Sequence, residues 1–139
     1  MMTRRLLCCF ILVGLVFLLG CSKNQKLSGK VTFSDDDSPV TRGAVFFETP
    51  SFVAQGDIKS DGTYIVGSTG LKDGLPKGDY RVSIRGADEI TKREGPGGSQ
   101  IEQRKALIHG KYQSPDSSGL TLTVDGKTKK FDIKVDRAM

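Results

Sequence analysis

Residues 75–85 read Leu-Pro-Lys-Gly-Asp-Tyr-Arg-Val-Ser-Ile-Arg, and this stretch decides the fold class of the chain. Its second half alternates strictly, because Tyr80, Val82 and Ile84 are apolar and the residues between them are polar. A period of two places successive side chains on opposite faces of a β-strand. The stretch therefore predicts a strand with one buried and one solvated face, as antiparallel sheets allow.

The same alternation recurs on both sides of this strand. It is regular over residues 27–33, 120–124 and 131–135. Less regular strands are predicted over residues 43–48, 54–59 and 63–66. Seven short strands with almost no helical pattern between them predict an all-β domain, an antiparallel β-sandwich of about seven strands.

Turn residues fall between the predicted strands. Asp61-Gly62 joins two of them and Asp125-Gly126 joins the last two, while the acidic stretch 35–39 makes the first turn. An Asp-Gly pair favours the positive φ angles of tight hairpins. The turns therefore support the strand assignment.

The segment 86–110 departs from this pattern because it is long, polar and without alternation. A Gly-Pro-Gly-Gly break at 95–98 interrupts it, with charged residues on either side. We predict a mobile loop with one helical turn near residues 101–107. Such a loop is either a specificity element or a tolerated insertion, and the sequence favours neither.

The N-terminus has the pattern of an export signal. Arg4 and Arg5 precede an apolar run over residues 6–19, and this run is shorter than the roughly 20 residues that a membrane-spanning helix needs. Its length is typical of the core of a signal peptide. We therefore predict a signal helix over residues 1–20.

The end of that run resembles a lipobox, the pattern that precedes the lipid-carrying cysteine of bacterial lipoproteins. Leu18, Leu19, Gly20 and Cys21 fill its four positions. The resemblance implies cleavage between Gly20 and Cys21 and lipidation of the Cys21 thiol, and Ser22 favours the periplasmic face of the outer membrane. With this cleavage, residues 21–26 are a short tether and residues 27–136 form the domain. The alternative is that residues 1–20 remain as an uncleaved membrane anchor.

Charge and cysteine content agree with an exported domain. The net charge of +5 falls to +3 when Arg4 and Arg5 are removed, a mild excess that does not indicate nucleic-acid binding. Cys8, Cys9 and Cys21 are the cysteines of the chain, so no disulfide is available within the predicted domain.

Several pieces of the chain occur in the order typical of one domain family. They are Gly29-Lys30-Val31-Thr32-Phe33, Pro39-Val40, Gly43-Ala44-Val45-Phe46-Phe47, Asp61-Gly62-Thr63-Tyr64 and Leu75-Pro76-Lys77-Gly78-Asp79-Tyr80-Arg81-Val82. Together they resemble the carboxypeptidase regulatory-like domain, a transthyretin-like β-sandwich. The stretches 111–115 and 118–124 are similar to small bacterial lipoproteins that carry this domain. The resemblance covers nearly all of residues 26–136.

This resemblance singles out residues with roles in building the fold. They are Asp61, Gly62, Tyr64, Leu75, Gly78 and Tyr80. The Asp-Gly pair turns the chain, Leu75 fills the end of the core, and Gly78 permits a corner. Tyr80 is expected to place its hydroxyl on a nearby backbone group, as in a tyrosine corner.

Catalytic machinery is not visible in the sequence. His109 is the single histidine, so no Ser-His-Asp set can be assembled, and no cysteine follows Cys21. A hydrolase of the transthyretin-like fold uses several histidines and a C-terminal Tyr-Arg-Gly-Ser motif, whereas this chain ends in Asp136-Arg137-Ala138-Met139. We therefore expect no enzyme and no cofactor, and an uncharacterised hydrolase is the third alternative.

The sequence gives little support to a calcium site or to a sugar-binding site. Asp35, Asp36 and Asp37 could supply oxygen ligands to calcium, but no further residues complete a loop, so no metal is expected. A sugar site would use exposed aromatic residues, and the chain has no tryptophan.

These observations predict a lipid-anchored, non-enzymatic cell-envelope protein with a structural or partner-binding role. Its expected partners are the membrane and an envelope protein or polysaccharide, with no nucleic acid. The alternative is a carbohydrate- or peptide-binding accessory module of a membrane-associated complex.

Overall fold

A computed structural model describes residues 24–67 and 73–139, and the regular secondary structure of these residues is almost entirely β. The strands are β1 (Ser28–Phe33), β2 (Ala44–Thr49), β3 (Phe52–Asp57), β4 (Thr63–Ile65), β5 (Gly78–Arg85), β6 (Asp88–Glu94), β7 (Gln100–Ala106), β8 (Leu120–Val124) and β9 (Ile133–Val135). Two 3-10 turns cover Pro96–Gly98 and Gly110–Gln113. The predicted signal helix, Gly20 and Cys21 lie outside the described residues.

The larger sheet has the strand order β3-β2-β5-β8, and all of its pairs are antiparallel. One of its two central strands, β5, is the alternating stretch that predicted the fold class. Tyr80, Val82 and Ile84 are buried, and Arg81 and Arg85 are exposed on the opposite face. The alternation therefore predicted correctly the apolar side chains that enter the core, but it missed Ser83, which lies on the opposite face and is also fully buried.

The second sheet has the order β4-β1-β9. β1 pairs with β4 in the antiparallel sense and with β9 in the parallel sense, Val31 lying opposite Ile133 and Phe33 opposite Val135. The prediction of purely antiparallel strands therefore misses one pair. Periodicity reports which face of a strand is buried but not the direction of its neighbour, so it could not reveal this pair.

A single hydrophobic core fills the space between these two sheets. It includes Val31, Phe33 and Tyr64 from the smaller sheet and Val45 and Phe47 from the larger one. The prediction of an all-β sandwich is thus confirmed.

The segment 86–110 does not form a loop with a helical turn near residues 101–107, and that prediction is wrong. β6 and β7 form a third, two-stranded antiparallel sheet, paired at seven positions from Asp88 opposite Ala106 to Glu94 opposite Gln100. The Gly-Pro-Gly-Gly break forms its tip, with φ of 74° at Gly97. Because the strands are polar on both faces, they lack the alternation by which a half-buried strand is recognised. We refer to residues 88–106 as the β6–β7 hairpin.

The structure also corrects the predicted hairpin at Asp125-Gly126 and the predicted end of the tether. Asp125-Gly126 is not a hairpin between the last two strands, because β8 pairs with β5 and β9 pairs with β1 in the other sheet. Gly126 does adopt a positive φ of 94°. Gln25, predicted to belong to the tether, is already fixed to the domain, since its N–H donates to the Leu75 carbonyl at 2.6 Å and its carbonyl accepts from Leu75 at 2.8 Å.

Candidate functional site

The turn at Asp61 and Gly62 is closed by side-chain hydrogen bonds. Asp61 Oδ1 accepts from the N–H and the hydroxyl of Thr63, at 3.0 and 2.6 Å. These hydrogen bonds lower the pKa of Asp61. Gly62 has φ of 83°, and a Cβ there would lie 2.7 Å from the Val31 carbonyl oxygen, so glycine is needed for conformation and for space.

Two buried tyrosines tie the core to backbone carbonyls. The Tyr64 hydroxyl donates to the Phe131 carbonyl, and burial, with a smaller effect of the Asp132 charge, raises the pKa of Tyr64. The Tyr80 hydroxyl donates to the Pro76 carbonyl at 2.8 Å, and burial raises the pKa of Tyr80. The second contact, four residues upstream, is the hydrogen bond that a tyrosine corner makes.

The remaining residues singled out in the sequence lie at the end of the sandwich where Gln25 enters. Leu75 is fully buried, and Gly78 begins β5 with φ of 156°. Asp61 and Gly62 lie at the opposite end of β4, so the structure does not bring all six residues together. They act as separate supports of the fold and do not form one site.

His109 forms hydrogen bonds that hold the local backbone. Its Nδ1 accepts from the Lys111 N–H at 3.2 Å and so caps the 3-10 turn Gly110–Gln113. Its own N–H donates to the Asp136 carbonyl at 2.9 Å. Ser83 is fully buried, and its Oγ has no hydrogen-bond partner among the described residues. Neither residue belongs to a nucleophile–base pair in the structure.

The acidic turn after β1 is neutralised by cations of the protein itself. Arg137 donates from Nε to Asp35 and from Nη2 to Asp36, both at 2.8 Å, and Lys134 pairs with Asp37 at 2.7 Å. The three carboxylates that were candidate calcium ligands therefore each have a partner. Among the described residues, no group of three or more metal-ligating side chains is positioned to hold a metal.

Asp136 lies at the centre of a polar network beside this turn. Its carboxylate accepts from Lys111 Nζ at 2.6 Å, from Ser34 Oγ at 2.8 Å and from the Tyr112 hydroxyl at 3.1 Å. These hydrogen bonds, that of Lys111 foremost, lower the pKa of Asp136 to about 2. The network joins the turn after β1, the second 3-10 turn and the end of β9. No local motif marks it, because its members are far apart in sequence.

We expect the network to make stability depend on pH. A carboxyl whose folded pKa is lower than its unfolded pKa stabilises the fold fully above about pH 4, and this contribution disappears as the pH falls towards about 2. Asp136→Asn should lower the urea midpoint at neutral pH. The midpoint of the variant should also fall less than that of the parent as the pH is lowered from about 4 towards 2. Urea unfolding across this pH range measures both effects.

Asp57→Asn, at an exposed position at the end of β3, is the matched control for this measurement. It should leave the pH profile as it is in the parent. A profile of Asp136→Asn that superimposes on the parent profile would show that the network contributes nothing to stability.

The β6–β7 hairpin is the candidate interaction site. Every strand residue in it is exposed except Asp88 and Ala106, which are half-buried at its base. Ile90 is 42% exposed and Ile101 is 52% exposed. The register places these two isoleucines on opposite faces of the ribbon, because Ile101 lies opposite Arg93. Within the described ranges, no other strand pairs with either outer edge of this two-stranded sheet.

The hairpin leaves the sandwich at the end opposite Gln25. Gln25 is bridged to Leu75, three residues before β5 begins, whereas the hairpin begins three residues after β5 ends at Arg85. The eight residues of β5 separate these two ends by about 26 Å. At the base of the hairpin, Leu107 N–H donates to the Ala87 carbonyl at 2.9 Å.

An aromatic platform is absent from the described part of the chain. Its tyrosines and phenylalanines are all buried or half-buried. The large apolar residues that are exposed there are Val53, Ile90, Ile101 and Met139. The two isoleucines lie where the sequence predicts a loop, because each of them stands alone among polar neighbours and gives only a weak strand signal.

Within residues 24–67 and 73–139, the structure contains no helix with the length and apolar character needed to cross a membrane.

Comparisons with known proteins give similarity of shape alone. No protein-family model matches the chain, and no curated protein matches it in sequence. Among solved structures it is similar to a 9R-lipoxygenase from Cyanothece PCC8801, with 10% identity and a TM-score of 0.35 over 81% of this chain and 16% of that one. It is also similar to BcpA, the major pilin subunit of Bacillus cereus, with 11% identity and a TM-score of 0.42 over 84% of this chain and 30% of that one. The chain spans less than a third of either protein, and no function is transferred from them.

Proposed function

We propose that this chain is a non-enzymatic, lipid-anchored protein of the cell envelope whose β6–β7 hairpin binds a protein partner. The observation that carries the proposal is the hairpin itself, a fully paired ribbon that is exposed on both faces and presents Ile90 and Ile101. An isolated two-stranded hairpin is marginally stable in water, so contact with another surface would stabilise it.

The chemistry of the hairpin favours a protein over a charged polymer. It carries four acidic and four basic residues, so its charges cancel. Unpaired strand edges accept an added strand through main-chain hydrogen bonds, and isolated isoleucines fit small apolar pockets. The alternative of sugar binding has no support from the aromatic residues, which are all covered to some degree in the described ranges.

The proposal includes lipid attachment at Cys21, cleavage after Gly20 and a position on the periplasmic face of the outer membrane. The Leu18–Cys21 pattern, Ser22 and the short apolar run of residues 6–19 support it. We also propose that the sandwich is a carboxypeptidase regulatory-like domain, as the order of its turn motifs and the Tyr80–Pro76 hydrogen bond suggest.

Lipid attachment is tested by mass spectrometry of the N-terminal peptide of the membrane-bound protein. We expect a peptide that begins at Cys21 and carries acyl groups, and Cys21→Ser should abolish them. An unmodified peptide that still contains residues 1–20 would refute the anchor.

Partner binding is tested by placing a photo-crosslinking amino acid at Ile101 or Ile90 in cells. We expect both positions to crosslink to one envelope protein, and the control position Thr121, exposed on the edge strand β8, to give no such product. Equal products from all three positions, or none from the hairpin, would contradict the proposal.

A shortened variant provides the matched loss-of-function test. Ala87 and Leu107 are already hydrogen-bonded across the base of the hairpin, so an Asn-Gly turn can replace residues 88–106. The variant should retain its β-type circular dichroism and its thermal transition, because the core contains no side chain of the hairpin. It should no longer crosslink to the partner from any surface position.

A further inference from the structure

Exposed lysines collect at the end of the sandwich where Gln25 enters the domain. They are Lys26, Lys77, Lys127, Lys129 and Lys130. Several contacts place them together. Gln25 is bridged to Leu75, two residues before Lys77, and the Lys129 carbonyl accepts from Ser28 N–H at 3.1 Å. A Cβ on Gly126 would lie 2.8 Å from Lys77 Cε, so the Lys77 side chain lies across the loop that carries Lys127.

The ion pairing of these lysines differs from that at the other end of the sandwich. At the far end, Lys111, Lys134 and Arg137 each pair with an aspartate of the domain. At the near end, Lys130 pairs with Asp132 at 3.0 Å. The other four lysines form no ion pair with any described residue.

The aspartates at the near end also interact with other groups of the protein. Asp125 accepts from the Lys127 N–H at 2.8 Å, and Asp79 accepts from Thr123 Oγ1 at 2.7 Å. Asp73 lies at this end as well and is engaged in an interaction of its own. Lys26, Lys77, Lys127 and Lys129 are therefore exposed cations at the end of the sandwich that carries Gln25.

An open groove of about 640 Å³ lies among these lysines. Lys26 and Lys129 line it together with the apolar residues Leu27 and Ile65 and the polar residues Asn24, Gln25 and Ser28. Ammonium groups beside apolar surface suit a phospholipid headgroup, which carries a phosphate next to its glycerol and acyl chains.

We propose that this lysine-rich end is a docking surface for anionic phospholipid headgroups, which rests on the proposed lipid attachment at Cys21. The four residues from Cys21 to Gln25 span at most about 14 Å even when fully extended. The lysines are therefore held close to the membrane surface, where a charged bilayer attracts them within a Debye length of about 8–10 Å. The acylated residue tethers the domain, and the lysines orient it with the β6–β7 hairpin directed away from the bilayer.

The test uses the full lipidated chain in vesicles of phosphatidylcholine alone or with about one third phosphatidylglycerol. A membrane-impermeant acetylating reagent is applied briefly, and mass spectrometry reads the modification of each lysine. In the anionic vesicles at low salt, we expect Lys26, Lys77, Lys127 and Lys129 to react roughly fivefold more slowly. Lys92 and Lys105 in the hairpin should react equally in both vesicles and serve as internal controls.

High salt should remove the protection, because screening weakens exposed charge interactions. Equal rates in the two kinds of vesicle, or equal protection of the hairpin lysines, would overturn the proposal. Inorganic phosphate added to neutral vesicles should not protect the lysines, and protection there would assign the site to a free anion instead of a lipid. The Cys21 peptide in the same digest shows whether acyl groups are present, so failure of lipid attachment is distinguished from failure of docking.

A pair of variants completes the test. Lys127→Glu combined with Lys129→Glu should abolish the protection of Lys26 and Lys77 in anionic vesicles. Lys92→Glu combined with Lys105→Glu changes the charge equally but lies in the hairpin, and it should leave that protection intact. Loss of protection in both double variants would overturn the assignment to this end of the sandwich.

Discussion

Replacing Gly29 by alanine is expected to destabilise the fold by about 3–5 kcal/mol, more than a typical single substitution. A Cβ at this position would lie 1.9 Å from the Phe131 carbonyl oxygen and 2.7 Å from the Tyr64 hydroxyl. These are the two atoms that form the hydrogen bond between β4 and the segment preceding β9. The added methyl group would therefore separate β1 from Phe131 and break that hydrogen bond.

Urea unfolding of Gly29→Ala and of the parent protein measures this effect. Gly110→Ala is the matched control, because no atom lies within 4 Å of its added Cβ. We expect the control to stay within about 0.5 kcal/mol of the parent. A Gly29→Ala variant as stable as the control would mean that the approach of β1 to Phe131 is not as close as described.

Phe47→Ala is expected to cost about 3–5 kcal/mol, the usual range for deleting a buried aromatic side chain. Phe47 is fully buried at the centre of the sandwich. Its ring centroid lies 6.2 Å from that of Tyr64 and 6.3 Å from that of Phe131. The substitution would leave a cavity between the two sheets that its neighbours cannot fill.

The adjacent Phe46 provides the control, because it lies on the other face of β2. Its ring is half-buried, and the Arg85 guanidinium lies 4.5 Å from the ring centroid. Phe46→Ala should cost about 1–2 kcal/mol, from partial burial and the lost cation–π contact. A shift of one residue in the register would exchange the two faces, so equal or reversed losses would contradict the described pairing.

The difference between Phe46 and Phe47 shows what the sequence could and could not predict. Where polar and apolar residues alternate, as in Tyr80–Arg85, the pattern identifies the face that enters the core, although Ser83 on the other face is buried as well. In β2 two phenylalanines are adjacent, so the pattern predicts a strand but not its inner face. The pairing of β2 with β3 and β5 determines which face of β2 enters the core, and it places Val45 and Phe47 on that face.

The hairpin and the polar network could not be predicted for two different reasons. Strand signals arise from burial, and the β6–β7 hairpin has too little buried surface to produce one. The Asp136 network joins Ser34, Lys111 and Tyr112, which are between 24 and 102 residues away from it in the chain. Such contacts are consequences of topology, and local motifs do not reveal them.

The parallel pairing of β1 with β9 determines when the sandwich can be completed. Val31 and its partner Ile133 are about one hundred residues apart in the chain, so their pairing closes a long loop and carries a large entropic cost. Until β9 is in place, β1 has β4 as a neighbour on one edge, and its other edge is unpaired. An unpaired strand edge can accept a strand from another chain. The arrival of the last strand therefore decides how long this edge is open to intermolecular pairing.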